Sequence, residues 1–213
     1  MQSGVVIFNF LFYFIETVYY THMFIYKKKY YLFVENTRRF NFNLIKKRKK
    51  FHIIYRNNNT KEKLLDLIDF RNNCRKKGIH FYVSNNTVLL SRLRADGLYI
   101  SAYNNNLLLN IFSRIGYKLI GSAHNLREVD IKIKQGCREI IYSRLFKTNY
   151  NYKKGHLGVN KFNMVSIRSK VELVPLGGIN KDNLSKVKSV RCNSFACLSA
   201  IKKKPAKIIN RLF

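Results

Sequence analysis

The sequence predicts a single-domain (β/α)8 TIM barrel that follows an apolar N-terminal extension. Short apolar runs alternate with segments of helical character, and eight such strand–helix pairs can be traced along the chain. Alternation of this kind implies parallel strands, and eight of them imply a closed barrel. The length of 213 residues lies in the range of one-domain α/β barrels. An open doubly wound sheet is the alternative, but the glycine-rich fingerprint that it requires after the first strand is missing.

Residues 1–28 form the extension, and residues 29–213 form the predicted barrel domain. Residues 4–26 are mostly apolar and approach the ~20 residues of a membrane helix, whereas Glu16 and His22 oppose a membrane location. No basic leader or small-residue cleavage site indicates a signal peptide. Three interpretations stay open: a start codon assigned too far upstream, a weak membrane anchor, or an extra element packed on the barrel.

Local sequence signals place each strand and helix of the barrel. Apolar runs bounded by turn residues predict strands at residues 30–34, 51–55, 79–83, 97–100, 117–120, 139–142, 171–176 and 194–198. Helical periodicity predicts a short basic helix before residue 50 and further helices at residues 60–77, 87–94, 105–115, 125–135, 160–168, 183–187 and 204–212. Each helix thus follows a strand, as the alternating order requires.

Capping residues support the boundaries of two of these helices. Thr60 is an N-cap candidate for the second helix, and Gly78 ends it. The residues of that helix that are predicted to face the core are Leu64, Leu65, Ile68 and Cys74. Asn125 is the N-cap candidate of a later helix, with Glu128 at the capping-box position.

The charge of the chain is strongly positive. A formal net charge of +30 attracts phosphorylated ligands, RNA or an anionic membrane. Abundant Lys, Asn, Ile, Phe and Tyr also fit the compositional bias of an AT-rich genome. The basic residues are spread along the chain without an aromatic RNA-recognition motif, so nucleic acid is not the expected partner. The four cysteines lack metal-site spacing and predict a reduced, cytoplasmic protein.

Two bends of small residues near the end of the chain predict a phosphate site. Gly177 and Gly178 follow the seventh strand, and Ser199 and Ala200 follow the eighth. Glycine lets backbone N–H groups come close to a ligand, and the loops after these two strands often form the phosphate site of a barrel. We therefore expect these four residues to bind phosphate, with a plain tight turn as the competing interpretation.

The other strand ends carry hydroxyl, amide and cationic side chains rather than carboxylates. The candidates among them are Arg56, Ser84, Ser122, His124, Thr148 and Lys153. This composition suits an anionic ligand, and the lack of paired carboxylates argues against a two-acid mechanism. His124 is interpreted either as a structural residue near a helix cap or as a proton carrier. Thr148 and Lys153 are interpreted either as solvated loop residues or as part of a lid over a leaving phosphate.

Four segments resemble those of a known family, both in their order along the chain and in the number of residues between them. They are residues 121–125 with Glu128 downstream, 145–148, 176–180 and 198–201. They resemble the thiamine-phosphate synthase and thiazole tautomerase (TenI-type) family, which implies a (β/α)8 barrel that acts in thiamine synthesis. The synthases of that family join hydroxymethylpyrimidine diphosphate to hydroxyethylthiazole phosphate and release diphosphate.

The resemblance also implies roles for the candidate site residues. The thiazole phosphate would bind to Gly177, Gly178, Ser199 and Ala200. The diphosphate would bind to Arg56, Ser84, Ser122, Thr148 and Lys153. The catalytic residues would be His124, Ser122 and Arg56, with His124 at the position of the catalytic histidine of the tautomerases.

The metal site that the resemblance implies is altered in this chain. The two acids that bind Mg²⁺ in the synthases fall on Asn85 and Asn104, which offer carbonyl oxygens but no charge. Mg²⁺ is the cofactor expected from the family, and these two asparagines place it in question. Three hypotheses follow: a synthase-like transferase, a metal-free thiazole tautomerase, and a non-catalytic barrel that binds a phosphate ligand or RNA.

Overall fold

A computed structural model describes residues 29–44, 50–57, 62–148, 155–180 and 182–197. Within these ranges eight parallel strands close into a barrel in the order of the sequence. The strands are β1 (Lys29–Val34), β2 (Phe51–Tyr55), β3 (His80–Ser84), β4 (Gly97–Ile100), β5 (Lys118–Ala123), β6 (Glu139–Ser143), β7 (Glu172–Leu176) and β8 (Ser194–Cys197). This arrangement confirms the predicted (β/α)8 fold.

Helices connect the strands along most of the chain. They are α1 (Leu64–Lys76), α2 (Thr87–Arg92), α3 (Asn110–Arg114), α4 (Leu126–Lys134), α5 (Gly158–Arg168) and α6 (Leu184–Lys188). A 3₁₀ turn at Leu107–Leu109 leads into α3, and another at Phe42–Leu44 lies where the short basic helix was expected. The predicted helix at residues 204–212 and the extension at residues 1–28 lie outside the described residues.

Large side chains fill the interior of the barrel. Strand side chains alternate between the two faces of a sheet, so every second residue points inward. The inner cluster includes the aromatic rings of Tyr31, Phe33, Tyr82 and Tyr99. A second, larger cluster contains residues of strands and helices, such as Phe81 of β3 and Phe162 of α5. The barrel is therefore a packed scaffold and not a pore, so a ligand binds at one of its ends.

Charged and polar side chains close the amino end of the barrel. Glu139 accepts hydrogen bonds from Lys29 Nζ and from the Tyr31 hydroxyl. On the next strand, Glu172 accepts a hydrogen bond from Ser194 Oγ at 2.7 Å. These acids have structural partners and lie at the end of the strands opposite to the candidate loops.

Helix α1 buries a face that matches the predicted one only in part. Its buried residues are Leu67, Phe70, Arg71 and Cys74. The prediction was wrong for Leu64 and Leu65, which are 37% and 73% exposed, and it is confirmed for Cys74, which is buried, and for Ile68, which packs against the core. Arg71 is accommodated in the core because its guanidinium binds the Asp96 carboxylate at 3.0 Å. The helix begins after Lys63, and the predicted cap, Thr60, lies outside the described residues.

Two further features concern the cysteines and the membrane. Cys74, Cys137 and Cys192 are buried thiols that form no disulfide among the described residues. In the described ranges, no helix combines the length and the apolar character needed to cross a membrane. The candidate anchor at residues 4–26 lies outside those ranges.

His52 is a buried histidine near the amino end of the barrel interior. It is 5% exposed, and its ring stacks on Tyr82, whose hydroxyl lies 3.3 Å from Nδ1. Burial lowers the pKa of His52 to about 3, and the positive charges of His80, Lys29 and Lys118 act in the same direction. The folded state therefore keeps His52 neutral, whereas the unfolded chain protonates it near the ordinary pKa of about 6.5.

We predict that the protein loses stability as the pH falls from 6.5 towards 3, because the unfolded state binds a proton that the folded state excludes. His52→Phe retains an aromatic ring against Tyr82 and removes this proton. Between pH 7 and pH 5, the unfolding free energy of the wild type should fall by about 2 kcal/mol more than that of the variant. Urea denaturation at both pH values measures this difference, and parallel pH profiles would contradict the assignment.

Candidate functional site

The bend after β7 presents two glycines at the carboxyl end of the barrel. Gly177 and Gly178 have φ angles of +104° and +66°, which residues with a Cβ rarely adopt. Among the described residues, neither backbone N–H donates to a backbone oxygen. The oxygens of the bend are engaged, because Gly177 accepts from Phe146 N at 3.0 Å and Gly178 from Asn183 Nδ2 at 2.7 Å. Hydrogen bonds to the two carbonyl oxygens thus fix the bend in place. This arrangement suits an anion, which would bind to the backbone N–H groups of the bend.

The loop after β6 continues along β7 beyond the end of both strands. Leu145 N donates to Leu176 O at 2.9 Å, and the bond from Phe146 N to Gly177 O follows it. On the other side of β7, Leu176 lies opposite Ala196 of β8. The β6 loop, the glycine bend and the end of β8 therefore lie side by side. The predicted second bend, at Ser199 and Ala200, lies outside the described residues.

Close packing also requires glycine at position 178. A Cβ there would overlap the carbonyl oxygen of Lys147 and would lie 2.7 Å from the carbonyl carbon of Phe146. At Gly177 a Cβ would lie 3.2 Å from Cβ of Arg144, a tight contact that a side chain can relieve by moving. The sequence predicted both glycines for phosphate binding, and the structure shows that the adjacent loop needs the space as well.

A cleft of about 590 Å³ opens between the loops after β4, β5 and β6. Its lining includes Tyr103, His124, Glu128, Ser143, Arg144 and His156. Arg144 Nη1 donates a hydrogen bond to Thr148 Oγ1 at 3.1 Å. Two of the predicted site residues are thereby placed: His124 lines the cleft, and Thr148 binds a residue that lines it. Lys153, predicted for the same loop, lies outside the described residues.

His124 forms a pair with Glu128 in the first turn of α4. Glu128 Oε2 accepts from the backbone N–H of His124 at 2.7 Å and lies 3.0 Å from its Nδ1. Because a carboxylate only accepts, Nδ1 carries a proton, and in a neutral imidazole Nε2 is then the acceptor. Asn125 caps the helix as predicted, with its Oδ1 accepting from Glu128 N at 2.9 Å. The Glu128 carboxylate therefore orients His124, and Glu128 also takes part in the N-terminal cap of α4.

Tyr99 of β4 is a buried residue beside predicted site residues, and the sequence did not single it out. It is 2% exposed, and Ser122, on the neighbouring strand β5, lies close enough to its phenol to influence its pKa. Burial raises the pKa of Tyr99, whereas the hydroxyl of Ser122 and the charge of Arg56 act in the opposite direction. The predicted site residues Ser122 and Arg56 thus both influence the pKa of this buried phenol. Ser84, another predicted site residue, pairs in register with Tyr99 on the neighbouring strand β3. An inward-facing aromatic residue of a strand is indistinguishable from core in the sequence.

Asn85 and Asn104, at the positions implied for metal ligands, contact each other. Asn104 Nδ2 donates to Asn85 Oδ1 at 3.3 Å, and the backbone N–H of Ser101 donates to the same oxygen at 3.0 Å. Asn85 Nδ2 donates to Ser101 Oγ at 2.9 Å. Asn104 Oδ1 accepts from the backbone N–H of Asn106 at 3.1 Å. The two side chains therefore satisfy each other and their neighbours within the protein.

This amide network does not fit a divalent cation. Mg²⁺ takes oxygen ligands, above all carboxylates and phosphates, whereas here the N–H donor of Asn104 points at the Asn85 oxygen. Both amides are neutral, and the described ranges contain no group of three or more His, Cys, Asp or Glu side chains that could hold a metal ion. The structure thus brings the two positions together but joins them by hydrogen bonds.

Two buried side chains hold the loop that carries Asn104. Lys132 Nζ donates to Asn104 O at 2.6 Å, and Gln135 Nε2 donates to the same oxygen at 2.8 Å and to Asn106 O at 3.0 Å. Both side chains are 0% exposed, and burial lowers the pKa of Lys132. A Cβ on Gly121 would lie 2.9 Å from Lys132 Cβ, so the glycine leaves room for the lysine. Nothing in the sequence distinguishes this lysine from the many exposed ones.

The fold and these groups define a class of protein: a (β/α)8 barrel whose carboxyl end gathers backbone amides, hydroxyls and guanidinium groups. The family follows from comparison. A family model described as thiamine monophosphate synthase matches residues 27–201, and the chain belongs to this family.

Similar proteins carry related names. The thiamine-phosphate synthase of Prochlorococcus marinus is 28% identical over 130 residues, which cover 60% of this chain and 37% of that protein. The thiamine-phosphate synthase of Geobacillus thermodenitrificans is 28% identical over 137 residues, which cover 62% of this chain and 61% of that protein. The chain therefore spans less than two thirds of the length of these relatives.

Solved structures show the same fold. A thiamine phosphate pyrophosphorylase from Pyrococcus furiosus superposes with a TM-score of 0.65 at 18% identity, over 88% of this chain and 98% of that chain. A 3-keto-L-gulonate-6-phosphate decarboxylase from Vibrio cholerae gives a TM-score of 0.58 at 13% identity, over 88% of this chain and 99% of that chain. At these identities the likeness shows the fold alone.

We predict that the double substitution Asn85→Asp with Asn104→Asp creates a divalent-cation site. Two adjacent carboxylates repel each other in the absence of a cation and share one when it is present. Mn²⁺ titration followed by electron paramagnetic resonance should show at least about tenfold tighter binding than in the wild type, and Mg²⁺ should raise the melting temperature of the variant alone. Equal Mn²⁺ affinities would contradict the view that the amides exclude the ion.

We predict that Gly178→Ala lowers the unfolding free energy more than Gly116→Ala does. Both positions have positive φ, but a Cβ at Gly116 meets nothing within 4 Å, so that control reports backbone strain alone. The overlap with the β6 loop should add about 1–3 kcal/mol to the cost at Gly178. Urea denaturation of both variants measures the difference. Equal losses of unfolding free energy would show that the β6 loop moves aside without cost.

Proposed function

We propose that this chain is a thiamine-phosphate synthase-like transferase, which joins hydroxymethylpyrimidine diphosphate to hydroxyethylthiazole phosphate and releases diphosphate. The observation that carries the proposal is the glycine bend after β7, with its N–H groups beside the end of β8 and beside the loop that bears Arg144. Family membership and the names of the relatives support the same reaction.

The proposed reaction exchanges one bond for another. The bond between the methylene carbon of the pyrimidine and the diphosphate oxygen breaks, and both electrons leave with the diphosphate. The lone pair of the thiazole nitrogen then forms the new C–N bond, which leaves a thiazolium product. The work of the protein is to align the two substrates and to stabilise the departing anion.

The residues of the chain divide this work. Gly177 and Gly178 bind the thiazole phosphate through their backbone N–H groups, as phosphates bind at such bends. Arg56 and Thr148 bind the diphosphate by charge and by a hydroxyl donor. Ser122, near the end of β5, offers the diphosphate a further hydroxyl donor. The amide network of Asn85 and Asn104 supplies no charge, so the anion depends on the cations of the chain.

A second candidate is a thiazole tautomerase, which the His124–Glu128 pair favours. Moving a proton between two positions of a thiazole phosphate requires a base and no metal. Glu128 lies 3.0 Å from Nδ1 of His124, which leaves Nε2 as the base, and His124 lines the cleft. The same glycine bend would bind the phosphate in either reaction.

We expect the purified protein to form thiamine phosphate from the two substrates in the presence of EDTA, detected by fluorescence after oxidation to thiochrome. Added Mg²⁺ should change the rate by less than about tenfold, since the chain offers the ion no carboxylate pair. If no product forms with or without Mg²⁺ while hydroxyethylthiazole phosphate still binds, the transferase proposal is wrong.

His124→Gln separates the two candidates. The variant should retain most of the coupling, because the bond exchange described above needs no proton transfer and His124 would act in it only through contact with the ligand. It should lose any proton exchange on the thiazole phosphate followed by NMR in deuterated buffer. The protein is a tautomerase instead if it exchanges protons on the thiazole phosphate, does not couple the two substrates, and loses this exchange in His124→Gln.

A further inference from the structure

We propose that Arg144 binds the diphosphate group directly and neutralises it without a metal ion. This assignment rests on the proposed function for the identity of the ligand, a diphosphate ester or free diphosphate. No motif of the sequence singled out Arg144, which reads as one more cation in a chain of net charge +30. Its surroundings distinguish it from the other cations.

The first observation is the position of Arg144 in its loop. Arg144 directly follows β6, and residues from both ends of the loop after β6 form hydrogen bonds with it. Its Nη1 donates to Thr148 Oγ1 at 3.1 Å, and its carbonyl oxygen accepts from Leu157 N at 2.9 Å. The guanidinium is thereby held beside a hydroxyl predicted to face the diphosphate.

The second observation is the contact with the glycine bend. A Cβ on Gly177 would lie 3.2 Å from both Cβ and Cγ of Arg144, so the stem of the arginine packs against the bend. From there the side chain reaches the cleft that His124 and Ser143 also line. Arg144 therefore connects the proposed phosphate site at Gly177 with the cleft, which is where a second phosphorylated substrate would have to bind.

The third observation is the charge balance of the cleft. Among the described residues that line the cleft, Glu128 is the acid, and it is paired with His124 at 3.0 Å. The neighbouring network of Asn85 and Asn104 is neutral and does not fit a cation. A diphosphate carries several negative charges, so a site without an ion has to supply positive charge from side chains. A guanidinium has five N–H donors in a planar fork that matches two phosphate oxygens.

The chemical consequence concerns the leaving group. When the methylene carbon–oxygen bond breaks, the bridging oxygen takes both electrons and becomes part of free diphosphate. A fixed cation at this oxygen stabilises the charge as it develops and needs no proton transfer. Arg144 would take this part by touching the leaving group, whereas Thr148 would hold both the guanidinium and a phosphate oxygen.

Binding of inorganic diphosphate in EDTA, measured by isothermal titration calorimetry, tests the assignment without requiring turnover. Arg144→Gln should weaken binding at least about tenfold, as expected for a lost charge-assisted pair. The matched control is Arg168→Gln in the exposed last turn of α5, which removes the same charge away from the cleft and should change affinity by less than about twofold.

Arg144→Lys provides the second variant. It keeps an aliphatic stem against Gly177 and the positive charge but removes the fork, so affinity should fall by an intermediate factor. Circular dichroism and melting temperatures confirm that each variant is folded, and if Arg144→Gln is not, the lysine variant decides. Equal diphosphate affinity in wild type and in the folded Arg144 variant would overturn the assignment, as would a wild type that binds no diphosphate in EDTA.

The result separates this inference from the proposed function. If Arg144→Gln weakens diphosphate binding but neither the wild type nor any variant forms thiamine phosphate, Arg144 is the diphosphate ligand of a protein that is not a synthase. If the wild type forms thiamine phosphate in EDTA and Arg144→Gln leaves both rate and diphosphate affinity unchanged, the synthase proposal stands and the role of Arg144 is wrong.

Discussion

Two hydrogen bonds beyond the end of the sheet hold the candidate site together. The bonds from Leu145 N to Leu176 O and from Phe146 N to Gly177 O prolong the pairing of β6 with β7. They fix the loop that bears Arg144 against the glycine bend, and the carbonyl of Lys147 then fills the space that a side chain at Gly178 would need. A rigid scaffold that presents loop residues in a fixed relation is the usual basis of a binding site.

The barrel could be predicted from the sequence because local signals define its parts. Each strand is a short apolar run between turn residues, and the predicted limits of β2 and β4 agree with the structure. The buried face of α1 could not be predicted in the same way. That face contains Arg71, which a local pattern assigns to the surface, and its burial depends on Asp96, which lies 25 residues further along the chain.

The sequence could predict the position of a site residue only where it directly follows a strand, as Gly177 follows β7 and His124 follows β5, and the roles of both residues stay predictions. Asn85 and Asn104 lie 19 residues apart, and their contact arises from the pairing of strands and from the hold of Lys132 on the backbone. Tyr99 reads as core in the sequence, and Arg144 as surface. Each of these roles depends on contacts between distant segments, which periodicity and spacing do not contain.

The amide pair after β3 and β4 determines how this rim of the barrel acquires its shape. Carboxylates at the same place would push the two loops apart until an ion arrived, and their arrangement would follow its supply. Amides neither ionise near neutral pH nor need a counter-charge. This part of the rim is therefore preorganised by the polypeptide itself, because hydrogen bonds of the two amides join the loops after β3 and β4.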